Sequence, residues 1–336
     1  TAEFIGVRFD GNRASQDGGA IYSNNSQVRL EGCSFDACFV ERSTSDSIIS
    51  VGGGAISSSG LSLHVEDCTF SECYAYGYAN AGCNTAIAYT YGGAIRASGQ
   101  GHTLKIDSSS FTDCYLSLFV RDRSSCNGCC SRFAYGGLNG GVIFVDTPGG
   151  STEITGTTIL RPRFDLDLEA GGDYRERAHL ETRRGVAIAV SSGELLISST
   201  DIDGARSNIL RQTGNTYFTG GVFERNGSAL SANSTDPVVL NSVNFTDCKS
   251  SPLYVDGNLR IDSSNVGGAV FACSGSSLDW NGGSCQSNQA YRGGAIYFDN
   301  GSIATISGVT FSSNTVVSEG GAIDASSTNL SIENSL

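Results

Sequence analysis

Short runs of alternating apolar and polar residues, broken every few positions by Gly, Asn, Asp or Ser, fill this chain from end to end. Ala295-Ile296-Tyr297-Phe298, Ile303-Ala304-Thr305-Ile306 and Gly308-Val309-Thr310-Phe311 are three in succession. A period of two is that of a strand with one buried face. Asp299-Asn300-Gly301, Ser307-Gly308 and Ser312-Ser313-Asn314 supply turn chemistry around them. Helical periodicity is nearly absent. Strands this short cannot bury an inner face alone, but stacked copies can, each strand pairing with its counterpart about 4.8 Å away.

Copies are present. Gly-Gly-Ala-Ile stands at Gly18–Ile21, Gly53–Ile56, Gly92–Ile95, Gly293–Ile296 and Gly320–Ile323, with weaker forms at Gly140, Gly185, Gly220 and Gly267. Phe-x-x-Asn/Cys stands at Phe9…Asn12, Phe35…Cys38, Phe70…Cys73, Phe111…Cys114, Phe245…Cys248 and Phe311…Asn314. The shortest unit has about 27 residues, which suits one coil of a solenoid. Gly-Gly turns the chain into the first strand, Phe points inward and stacks on its neighbours above and below, and Asn serves as a turn residue that tolerates left-handed angles and bonds neighbouring backbone. The expected fold is all-β: a right-handed parallel β-helix of about nine to ten coils, a single elongated domain over residues 1–336.

The motif pair resembles the repeat of the chlamydial polymorphic outer membrane proteins, defined by GGA[ILV] and FxxN. Similar repeats occur in large surface proteins of algae and other protists. The resemblance runs from Phe9 to Ile323, with degenerate copies in the middle. It implies an extracellular or cell-surface β-helix used for adhesion or structure, and it brings no catalytic residues, because the motifs are architectural. Cys replaces the family's Asn at Cys38, Cys73, Cys114 and Cys248, so those corners are expected to be bonded differently.

A net charge of −13, with Lys105 and Lys249 as the only lysines, argues against nucleic acid and anionic membranes as partners. No apolar run approaches the roughly 20 residues of a membrane-spanning helix. The 12 Cys point to an oxidising compartment because several share repeat positions. Cys33–Cys68 and Cys38–Cys73 are the expected coil-to-coil disulfides, and Cys273–Cys285 a local closure. The competing reading is a ladder of reduced buried thiols. Cys126, Cys129 and Cys130 look metal-like, but no further ligands complete a zinc site, and disulfides to Cys83 and Cys114 are expected instead. Sequons at Asn24, Asn226, Asn233, Asn244, Asn300 and Asn329 are candidate glycosylation sites, Asn300 the best placed of them.

Extra residues follow the Phe-x-x-Asn/Cys corner at Phe39–Gly52, Tyr74–Tyr91, Tyr115–Asn139, Phe164–Arg184 and Gly204–Thr219. They are expected as loops aligned along one side, the interaction face of a repeat protein. Tyr74, Tyr76, Tyr78, Tyr89 and Tyr91 in one of them suit protein contacts or stacking on sugar rings. Arg161–Arg184 is rich in both signs of charge, with Asp173–Arg184 expected as a short helix.

Carbohydrate-active chemistry needs paired carboxylates, or an acidic calcium cluster with a basic residue. His64, His102 and His179 are scattered, Asp107 and Asp262 occupy ordinary outward positions, and Asp165-Leu166-Asp167-Leu168-Glu169 could hold calcium or simply be solvated. No cofactor is expected. The leading expectation is a secreted structural or adhesive β-solenoid, part of an extracellular filament or surface appendage, with other extracellular proteins or glycans as partners. The alternatives are a polysaccharide lyase or glycosidase on the same fold and a passive carbohydrate-binding module. Neither end of the sequence shows a cap, which predicts end-to-end self-association or a longer chain.

Overall fold

A computed structural model of the chain describes residues 1–45, 47–81, 85–122, 134–170, 178–213, 216–217, 229–232, 236–249, 253–255, 258–260, 270–272, 277–298, 301–325 and 328–336. The described elements are all strands, and a parallel β-helix results. One sheet of 23 strands runs the length of the molecule. Each coil enters it through a strand such as Ile21–Asn24, continues through Gln27–Glu31, and ends in Ser34–Asp36. Register is kept through the first coils, where Val28 lies beside Leu63, then Leu104, and Phe35 beside Phe70, then Phe111, and it shifts further along, as between Val145 and Ser151. Alternate residues Val28 and Leu30, Leu63 and Val65, Leu104 and Ile106 fill the core. Phe9, Phe35, Phe70 and Phe111 form the expected stack, with ring centroids 4.7, 4.6 and 4.5 Å apart.

The corners explain the motifs. In Gly-Gly-Ala-Ile the first Gly has a left-handed backbone, φ +64° at Gly53 and +55° at Gly92. The second Gly answers a different need, since a Cβ on Gly54 would fall on the carbonyl oxygen of Gly93 in the next coil. In Phe-x-x-Asn/Cys the left-handed residue is the one before the Asn or Cys: Ala37, Glu72, Asp113 and Ser313 have φ of 47°, 52°, 55° and 55°. Each non-Gly residue in that region costs roughly 1–2 kcal/mol. The cost is offset by a coil-to-coil bond at each corner: Ala37 N–H donates to Ser71 O, and Glu72 N–H to Thr112 O.

The motif Asn therefore does not make the left-handed turn expected of it. It bridges coils. Asn288 Nδ2 donates to Phe245 O at 3.2 Å while its Oδ1 accepts from Cys248 N–H at 3.0 Å. Asn314 repeats the pattern with Cys285 O and Asn288 N–H. Where Cys replaces Asn, the thiol makes a longer version of the same bond: Cys38 Sγ donates to Phe9 O at 3.6 Å, Cys73 to Phe35 O at 3.6 Å, and Cys114 to Phe70 O at 3.7 Å.

This overturns the expected disulfides. Cys33, Cys38, Cys68, Cys73, Cys114, Cys248 and Cys285 are all free and buried. Side chains at equivalent positions of an in-register parallel ladder point the same way, so their Cβ atoms stand about one coil spacing, ~4.8 Å, apart. A disulfide wants about 3.5–4.5 Å and converging Cβ vectors. Cys285 is free because it belongs elsewhere: it pairs with Phe245 on one side and Phe311 on the other, inside the Phe column. The smaller side chain leaves room that Trp280 occupies, edge-on to Phe245 at 5.5 Å and to Phe311 at 6.2 Å. Cys83, Cys126, Cys129, Cys130 and Cys273 lie outside the described residues.

The insertions leave at one corner, as expected, but their described parts are strands rather than loops. Phe39–Ser45, Tyr74–Ala81, Tyr115–Asp122, Arg163–Ala170 and Arg206–Thr213 run outward as a parallel sheet that begins at Arg13–Ala14. Ile48–Gly52, Ala86–Tyr91, Ala134–Asn139, Ala178–Arg184 and Thr216–Tyr217 return as a second. Ala178–Arg184 is thus a strand, not part of a helix. The two sheets pack face to face as a thin fin whose interior holds small and aliphatic side chains: Ala75, Ala79, Ala88 and Leu118 are all fully buried. A Cβ on Gly77 would stand 2.7 Å from Thr90 Cγ2, which shows how close the layers are. Arg42 stands in register with Gly77 at the fin's first edge. A charge in an inward column blunts an edge strand against further pairing.

Candidate interaction face on the fin

Alternation in Tyr74-Ala75-Tyr76-Gly77-Tyr78-Ala79 sends the small residues inward and the tyrosines to the outer face, each half-buried. Their neighbours in register make columns. Phe39, Tyr74 and Tyr115 stack at 4.8 and 4.9 Å with planes within 6° and 12°. Both ends of that stack carry a guanidinium: Arg13 lies 5.5 Å from the Phe39 ring and Arg163 lies 4.0 Å from the Tyr115 ring. Four residues further along, Tyr78 and Phe119 stack at 4.9 Å, in register with Ser43 on one side and Asp167 on the other. Tyr76 stands between the two columns. Burial first, and then Tyr78, Glu41 and Asp167, push its phenol up to about 12.

Stacking on sugar rings, one role suggested for these tyrosines, meets an obstacle here. The ring faces of Phe39, Tyr74 and Tyr115 are taken by one another and by the two arginines, leaving edges and hydroxyls exposed. Tyr89 and Tyr91 belong to the returning sheet on the fin's opposite face. Arg96 lies 4.9 Å from the Tyr91 ring and reaches past Gly52 to Asp17 at 2.8 Å. The sequence therefore placed five tyrosines in one loop that the structure divides between two faces.

At the fin's base, Asp113, Arg161, Arg163, Asp203, Arg206 and Asp247 line an open groove of about 440 Å³. Arg161 donates to both carboxylate oxygens of Asp113, at 2.8 and 2.6 Å, and holds that acid below its ordinary range. Lys249 at 2.6 Å and Arg206 at 2.7 Å do the same for Asp247. These carboxylates stay ionised at neutral pH, unlike the proton donor that glycoside cleavage requires. Asp17 is pushed upward, by burial, and its partner is Arg96.

The other candidates are dispersed. Ser58 Oγ and His102 Nε2 form a 2.9 Å pair that sequence spacing did not reveal, but both are fully buried in the core, where burial lowers the imidazole pKa. His64 lies 4.0 Å from Glu66 on the outer surface, and Asp107 is likewise outward. Asp165 is held by Arg163 at 2.8 Å rather than grouped with Asp167 around a cation site. Among the described residues no cluster of three or more His, Cys, Asp or Glu could hold a metal. Asn24 and Asn329 are exposed on strands. Asn244 is half-buried, its amide donating to Asp201 Oδ1 at 2.8 Å and accepting from Ser284 at 2.9 Å. Asn226, Asn233, Asn300 and Asp262 lie outside the described residues, as does the side chain of His179. No helix among the described residues is long and apolar enough to cross a membrane.

Residues 6–24 and 308–326 match the family model of the Chlamydia polymorphic membrane protein repeat. Both stretches contain a complete Phe-x-x-Asn and Gly-Gly-Ala-Ile pair joined by a short segment, without a long outgoing and returning insertion between them. No curated protein and no solved structure matches the chain.

Proposed function

We propose that this chain, whose repeats are of the Chlamydia polymorphic membrane protein type, is a surface-displayed structural β-solenoid that adheres through its lateral fin. The repeat type points to the cell surface. The observation that carries the adhesive role is the outer face of the fin, where aromatic, arginine and carboxylate side chains are held in register by a stiff parallel sheet. Flat faces rich in Tyr and Arg are the common chemistry of protein contact sites. The charge-neutralised acids of the basal groove support a non-catalytic role, and a polysaccharide depolymerisation screen with and without calcium tests it: robust turnover would reverse the assignment. End-to-end stacking of units in an appendage belongs to the same proposal, and axial rods in electron micrographs of native material would support it.

Beads coated with the protein should adhere to host or neighbouring cell surfaces, and the variant Tyr74→Ser/Tyr76→Ser/Tyr78→Ser should lose that adherence. Tyr22→Ser, at an exposed tyrosine away from the fin, should keep it. Equal adherence by all three proteins would remove the fin from the account.

A further inference from the structure

The two aromatic columns on the fin's outer face differ in one respect. The Phe39–Tyr74–Tyr115 column ends at both sides in a guanidinium from the chain itself, Arg13 and Arg163. The Tyr78–Phe119 column does not: Ser43, an exposed residue, stands where Arg13 stands in the first, and Asp167 where Arg163 stands. A Ser side chain does not cover a tyrosine ring, so among the described residues the Tyr78 ring face toward Ser43 has no aromatic or cationic cap of the kind its neighbour has. Glu41, two residues before Ser43 on the same strand, acts on the phenol of the neighbouring Tyr76 and is held by Arg13 at 3.0 Å, so one carboxylate, paired once, stands near the open ring. The chain as a whole carries −13.

We propose that the Tyr78–Phe119 column receives a basic side chain, arginine above all, from an extended cationic segment of a partner protein. This rests on the adhesive reading of the fin and names the chemistry of its partner. The first column is the template: the same sheet, the same stacking distance and a guanidinium over the terminal ring. An incoming arginine laid over Tyr78 on the Ser43 side would reproduce the Arg13–Phe39 contact, sharing Glu41 with Arg13, which holds that carboxylate at 3.0 Å. A cation over an aromatic face gains more as it is desolvated, and a planar guanidinium stacks better than an ammonium. Arginine should therefore be preferred to lysine at equal charge.

The test is a binding titration of the intact chain with oligoarginine, with oligolysine, oligoglutamate and a neutral oligosaccharide as comparators, followed by tyrosine fluorescence at low and physiological salt. Oligoarginine should bind at least several-fold tighter than oligolysine, and oligoglutamate should not bind. Two variants separate this site from diffuse charge attraction. Tyr78→Ser should weaken oligoarginine binding about tenfold. Ser43→Arg, which supplies the missing cap from within, should weaken it similarly while leaving thermal stability equal or higher. Unchanged affinity in both variants, no preference for arginine over lysine, or tighter binding of the oligosaccharide would overturn the proposal. Cell adherence lost in Tyr74→Ser/Tyr76→Ser/Tyr78→Ser but retained in Ser43→Arg would sink the cationic partner and leave the adhesive fin standing.

Discussion

Replacing Phe70 by Ala is the sharpest test of the core. Phe70 is only 1% exposed and lies flat between Phe35 and Phe111, at 4.6 and 4.5 Å. Burying a Phe side chain contributes about 1.5–3 kcal/mol by area. Each stacked neighbour adds about 0.5–1.5 kcal/mol. The coils above and below are pinned by strand pairing at Thr69–Ser71, so they cannot close the gap. The expected loss is about 3–5 kcal/mol, in line with other Phe→Ala changes in rigid cores. Phe9→Ala provides the internal control. Its ring is half-buried and stacks on one face only, against Phe35, with Phe4 edge-on at 5.9 Å. It should lose about half as much. Urea titrations followed by circular dichroism would compare the two, with limited proteolysis to detect local opening, since solenoid stability is a sum over neighbouring coils. A loss under about 1 kcal/mol at Phe70, or equal losses at both positions, would mean that the stack does not bear the core's stability.

Other consequences follow from the corners and columns. Cys248→Asn should be neutral or stabilising, because an amide can replace the 3.8 Å thiol bond to Ile202 O with the shorter one that Asn288 makes, whereas Cys248→Ala should cost about 1–3 kcal/mol; thermal melts would check both. The buried thiols should resist iodoacetamide until the protein unfolds, and peptide mapping of unreduced protein should recover Cys33, Cys38, Cys68 and Cys73 as free thiols. Burial pushes the Cys68 and Cys248 thiols up to about 11 and about 12, above about 8.5 in an unfolded chain. Between these limits the unfolded state holds fewer protons, so stability should be intact below about pH 8.5 and fall as pH rises toward 12; a melting series that stays flat over that window would count against it. Gly54→Ala, which needs no change of φ but drives a methyl into the next coil's backbone, should cost about 2–3 kcal/mol or more. Gly32→Ala, with open space but φ +59°, should cost about 1–2 kcal/mol.

The coil itself was legible from residue pattern alone. Period-two alternation, Gly-Gly-Ala-Ile and Phe-x-x-Asn repeat a local requirement in every unit: a strand with one apolar face, then a turn. Identical units can satisfy that requirement together only by stacking in register, so the Phe35–Phe70–Phe111 column follows from the sequence. The fin was legible too, in principle. Tyr74-Ala75-Tyr76-Gly77-Tyr78-Ala79 alternates as cleanly as any core strand, but its inward residues are so small that the run does not read as one that buries a face. Only a second sheet a short distance away makes Ala and Gly sufficient filling, and whether such a sheet exists is not a local property.

The chemistry at individual positions was decided by tertiary structure. Equivalent Cys positions said that thiols would be neighbours; the direction of their side chains, shared by every member of a parallel ladder, decided that they would bond to carbonyls rather than to each other. Cys285 took a Phe place because Trp280, five residues earlier and in an adjacent core column, restored the missing volume. Ser58 and His102 came together because their coils are adjacent. The two cations that close the first aromatic column, Arg13 and Arg163, stand 150 residues apart in sequence and are brought to one stack by strand register alone. Periodicity along a chain specifies what each unit needs; which side chains meet across units depends on register and on loop length, and those are settled only when the coils are laid one upon another.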